Sequence, residues 1–160
     1  MTDINCLRIS YYKAVQSEAH TDTLISIITK LQHKNYIQSA YLAGLYALKA
    51  KHHSNPYQKI KYLQKANEDI KPIVILHPDD MEVRFIRLSY QYYVPRFLGF
   101  SAHLQDDTQA IARAIILCKF NYTDFGLVTN IIDFLKKSKL INTNELAKIE
   151  KAMAKYWTKI

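Results

Sequence analysis

Three glycines (Gly44, Gly99, Gly126) and four prolines are the only strong chain breakers in 160 residues. A sheet-rich domain of this length needs turn signals about every 8–12 residues, so the scarcity predicts helices joined by short connections. Hydrophobic residues make up 49% of the chain and charged residues 22%. That balance suits one globular helical domain over residues 1–160 and fits neither disorder nor a membrane protein.

The pattern is clearest between Asn55 and Phe100. Asn55 is placed to cap a helix that has Pro56 at its first position, where a missing N–H has no intrahelical partner to lose. Tyr57, Ile60, Leu63, Ile70, Ile73, Val74 and Leu76 then recur at helical spacing. Pro72, inside this helix, predicts a kink or a division near Asp69 to Ile73. Pro78 ends the helix, and Asp79 or Asp80 caps the next, which runs to Val94-Pro95. Arg96 to Gly99 reads as a short turn anchored by apolar side chains.

Elsewhere the same reading gives helices over Asp3 to Glu18, from Thr21 or Asp22 to about His33 and Lys34, and over Tyr36 to Lys51. It gives further helices over Ser101 to Lys119, over Thr123 to Lys137 and from Asn142 to the last residue. Asn142 with Glu145 three residues on has the pattern of a capping box. Ala40, Ala43, Gly44, Ala47 and Ala50 line the third helix and invite close approach of a neighbour. The expected fold class is all-α: about eight antiparallel helices, arranged as an α-solenoid or a compact bundle of helical hairpins.

The run Ala66, Ile70, Ile73, Leu76, Pro78 resembles the second helix of a tetratricopeptide repeat, and Ile75 to Tyr93 resembles the join between two such repeats. The set Asn55-Pro56, Lys59, Pro78, Glu82, Arg84-Phe85, Arg87-Leu88, Gln91 and Pro95-x-Phe97-Leu98-Gly99 is similar to that of a small bacterial family of uncharacterised helical proteins. The resemblance implies a tetratricopeptide-like fold with residues 55–100 as its core hairpin and 142–160 as a capping helix. It implies no activity and supplies no catalytic residues.

Arg84, Arg87 and Gln91, at i, i+3 and i+7, project from one helix face. Two guanidiniums so placed can hold a carboxylate or phosphate bidentately, with Lys59 and Asn55 bordering the same groove. This is the candidate binding site, for a protein or peptide partner bearing acidic groups. The alternative is that Arg84 and Arg87 pair with Glu68, Asp69 or Glu82 to fasten adjacent helices.

The formal net charge of +8 is uneven: residues 136–160 hold seven lysines against Glu145 and Glu150. On the last helix Lys148, Lys151, Lys155 and Lys159 form one stripe opposite Leu146, Ile149, Met153, Tyr156 and Ile160, with Trp157 near the boundary. Such a stripe suits either a solvated capping helix or association with a polyanion, nucleic acid or an anionic membrane. The many tyrosines beside basic residues suit core and groove walls, or base stacking.

No nucleotide-binding loop, dinucleotide fingerprint or nucleophile elbow is present. The histidines lack metal-ligand spacing, and Asp79-Asp80 and Asp106-Asp107 read as helix-start acids. Cys6 and Cys118 lie far apart on apolar patterns and are expected as buried free thiols. The first residues do not read as a secretory signal, and no apolar run approaches the ~18 residues of a membrane span. The expectation is therefore a non-enzymatic, cytoplasmic interaction module without a cofactor.

Overall fold

The computed structural model describes residues 3–158. Among them are eight α-helices and two short 3₁₀ turns, with no strand, an all-α array. None of these helices is long and apolar enough to cross a membrane. The chain divides into two compact units, one ending at Pro78 and the other starting at Asp79, so the boundary falls inside the Asn55–Phe100 segment.

The first unit contains α1 (Ile4–Gln16), α2 (Glu18–Thr29), α3 (Tyr36–His52) and α4 (Pro56–Leu76). α3 packs against the other three. Its small residues explain how: Ala40, Ala43, Gly44, Ala47 and Ala50 are all buried, letting neighbours approach closely on several sides. Asn35 and Gln38 open α3 with a reciprocal capping box. Asn55 Oδ1 accepts from the Tyr57 and Gln58 N–H groups (2.9 and 3.3 Å), as its position before Pro56 predicts.

α2 begins earlier than the sequence suggests. Ser17, in extended backbone, ends α1 and caps α2 by accepting from the His20 N–H. Thr21, expected as a cap, is buried, and its hydroxyl donates to Ala14 O (2.9 Å) and Ser17 O (3.0 Å), tying the two helices at their join. Cys6 is exposed, because it lies off the Leu7–Ala14 face; both cysteines are free thiols. The Asp3 carboxylate beside Cys6 accepts from its thiol and raises its pKa.

α4 runs unbroken from Pro56 to Leu76, so Pro72 does not divide it. Proline in a helix interior costs about 3 kcal/mol relative to alanine, less the ~0.4–1 kcal/mol it saves by restricting the unfolded chain. Pro72 is exposed, so no packing is lost on replacing it. Pro72→Ala is expected to stabilise the protein by about 2 kcal/mol, read as a rise in the thermal midpoint of roughly 4–8 °C.

The second unit contains α5 (Met81–Tyr93), a 3₁₀ turn (Arg96–Leu98), α6 (Leu104–Ile116), a second 3₁₀ turn (Tyr122–Asp124), α7 (Phe125–Ser138) and α8 (Thr143–Trp157). Its core joins Leu88 of α5, Ile111 and Ile115 of α6, Val128, Ile131 and Leu135 of α7, and Ile149 and Met153 of α8. Asp80 caps α5 and Asn142 caps α8 by accepting from the Glu145 N–H. The turn after α5 bends at Gly99, whose φ of +75° suits a residue without Cβ. It is not anchored as expected: Phe97 is 86% exposed. α6 is shorter than predicted, and Cys118, just beyond its end, is half-buried with a φ of +52°.

Candidate functional site

The five predicted site residues fall into two groups. Asn55 and Lys59 stand in the first turn of α4 in the first unit, where Asn55 uses its side-chain oxygen to cap the helix. Arg84, Arg87 and Gln91 stand on one face of α5 in the second unit, and there the geometry is specific.

Asp107, in the first turn of α6, is the centre of that geometry. Arg87 grips it as a fork, with Nε donating to Oδ2 and Nη2 to Oδ1, both at 2.8 Å. Arg84 Nη1 donates to the same Oδ1 at 2.7 Å. The Asp107 side chain is fully buried and that of Arg87 is 7% exposed, whereas Arg84 keeps 16%. Charge-assisted, bidentate bonds of this length are the stronger kind, and burial removes the water that would screen them.

Gln91 is also buried, and its Oε1 accepts from the His103 N–H at 3.4 Å. His103 precedes α6 and makes no side-chain cap bond, so Gln91 meets one of the donors at that helix start. The Thr108 hydroxyl donates to Leu104 O. The Asp107 and His103 bonds hold the beginning of α6 against α5. Of the acids expected to pair with the arginines, Asp69 takes Lys65 at 3.1 Å. Asp107 is a helix-start acid, as its position predicts, and it also closes the arginine cluster.

The second candidate surface is α8. Ile149 is fully buried and Met153 is 8% exposed, while Lys148, Lys151 and Lys155 are exposed on the other side. Lys137 and Lys139, at the end of α7, are exposed as well. Lys136 Nζ reaches Glu150 at 2.9 Å, and that hydrogen bond raises the lysine pKa. Lys159, Ile160 and the side chain of Trp157 lie outside the described residues.

The tyrosines divide between two roles. Tyr41 and Tyr90 are buried, with Tyr11 meeting Tyr41 edge to face at 5.0 Å, whereas Tyr12, Tyr57 and Tyr93 are exposed. Burial pushes the Tyr11 phenol pKa well above its ordinary value. Comparison with known protein families, with curated proteins and with solved structures gave no match.

Proposed function

We propose that the chain is a non-enzymatic interaction module whose partner is a polyanion, a nucleic-acid backbone, taken on the lysine face of α8. One observation supports this above all: Lys148, Lys151 and Lys155 are exposed on one side of a helix whose opposite side is locked in the core. Lysines on a rigid support can neutralise successive phosphates and release their counterions. The sequence pI of about 9.4 favours the same partner. An amphipathic helix that enters a membrane needs its apolar side free. Here Ile149 and Met153 would have to leave the core, which speaks against a membrane.

The competing reading is an acidic protein or peptide held by Arg84 and Arg87. In its favour, Arg84 keeps some exposure in a cluster of two guanidiniums and one aspartate. Such a partner must compete with Asp107 for donors already bound at 2.7–2.8 Å, which ranks this reading second. The tetratricopeptide-like character, the bacterial-family resemblance and a cytoplasmic setting belong to the same proposal. The first two rest on the motif residues between Asn55 and Gly99, and the last on first residues that do not read as a secretory signal.

The test measures binding of labelled nucleic acid across ~50 to ~200 mM salt. Wild-type affinity is expected to fall steeply with salt. Lys148→Gln with Lys151→Gln and Lys155→Gln should flatten the log–log slope by about 2, from roughly 0.7 per lost phosphate contact on single strands. A salt-independent affinity, or a slope unmoved by the three substitutions, would refute the proposal. Binding that survives them but fails with Arg84→Gln would move the assignment to the arginine cluster.

A further inference from the structure

The outer face of α3 and α4 in the first unit carries a second cationic feature, one that adds aromatic planes to charge. Tyr46 of α3 and Tyr62 of α4 are both half-buried, and their rings are nearly parallel, 8° apart in plane with centroids separated by 6.5 Å. Lys65 Nζ lies over the Tyr46 ring at 4.7 Å and Lys49 Nζ over the Tyr62 ring at 5.6 Å. His53 tilts against Tyr62 at 5.9 Å, and Lys61 lies over the exposed Tyr57 ring at 4.6 Å. Each rim lysine is held by an acid, Lys49 by Asp22 and Lys65 by Asp69, and those bonds raise the lysine pKa values.

Several features of this face suit a nucleobase better than a plain anion. A bare phosphate or carboxylate has no use for an aromatic plane, whereas every base has a π-face to stack. The two rings are 8° apart in plane, the near-parallel arrangement that successive bases of a strand also have. A lysine ammonium lies over each ring, within reach of the phosphate of a base that replaces it there. A duplex hides its base faces inside the stack, so a site of this kind selects single strands.

We propose that Tyr46 and Tyr62 form a base-stacking site for single-stranded nucleic acid, with Lys49 and Lys65 engaging the flanking phosphates. The inference rests on the polyanion reading of α8 and narrows it from any nucleic acid to strands with exposed bases. The base takes a ring face from the lysine ammonium that lies over it. The lysines then exchange part of their contact with Asp22 and Asp69 for phosphate oxygens.

The experiment compares strands of about 16 nucleotides, normal and abasic, by fluorescence anisotropy on the full chain. Wild type is expected to bind the normal strand about ten- to hundred-fold more tightly than the abasic one. Tyr46→Leu with Tyr62→Leu should remove that preference and leave abasic binding unchanged. Tyr46→Phe with Tyr62→Phe should keep it, because the phenyl ring stacks without the hydroxyl. Equal wild-type binding of the two strands overturns the stacking site and leaves the α8 reading standing. Binding of neither strand overturns both. A preference for duplex over single strand also overturns the stacking site. The wild-type comparison needs no variant to fold, and circular dichroism shows whether the leucine pair keeps its helices.

Discussion

Asp107→Ala is expected to destabilise the second unit by about 3–5 kcal/mol, the usual cost of leaving a buried charge without its partner. The substitution strips the acceptor from three charge-assisted hydrogen bonds and strands Arg87, whose side chain is 7% exposed. Amide hydrogen exchange should accelerate in α5 and α6 together, since these bonds join them. Asp107→Asn should fall between wild type and alanine, because the amide keeps one oxygen for one guanidinium. Arg87→Met with Asp107→Leu should recover part of the loss, since an apolar pair replaces the most buried ions, while Arg84, 16% exposed, loses its bond to Asp107 and turns to solvent. A loss below about 1 kcal/mol for Asp107→Ala would mean that the pair behaves as an exposed salt bridge, open to solvent and to an incoming anion.

The shared face of Arg84, Arg87 and Gln91 followed from i, i+3, i+7 spacing alone, and the structure keeps it. Their partner was legible too, although by a different route from charge proximity in sequence. Position 107 falls between Leu104 and Ile111 on the apolar stripe of α6, where an acid has no water to face. A carboxylate at such a register requires a cation from the helix packed opposite. Asp106 and Asp107 both stand in the first turn of α6 but face opposite surroundings. Only Asp106 points outward, with its side chain 75% exposed. Glu68 and Asp69 belong to the first unit, which ends at Pro78.

Helix number and several caps were legible because capping chemistry is local: Asn55, Asp80 and Asn142 each accept from an N–H two or three residues ahead. Ser17 shows the limit. Its cap is as local as the others, but Thr21 and Asp22 compete for the same role in sequence, and only packing against Ala14 shows that Thr21 faces inward. The boundary between units was not legible. Leu76 to Asp80 reads identically as a hairpin turn within one domain and as a link between two, because turn chemistry does not record which helices pack beyond it.

Ile70→Ala is expected to cost about 2–5 kcal/mol, while Leu76→Ala on the same helix should change stability by no more than about 0.5 kcal/mol. Both residues belong to the apolar series read along α4, and the difference comes from angle. At 3.6 residues per turn, Leu63, Ala66 and Val74 lie within about 40° of Ile70 around the helix, and Leu76 lies about 120° away. Burial follows that angle: Ile70 is fully buried and Val74 5% exposed, whereas Leu76 is 74% exposed. Ile73, about 60° from Ile70, is half-buried and belongs between the two extremes. Chemical denaturation of the two alanine variants under one set of conditions separates the cases. Equal losses would show that Leu76 is covered in solution and that angle around the helix does not set burial along α4.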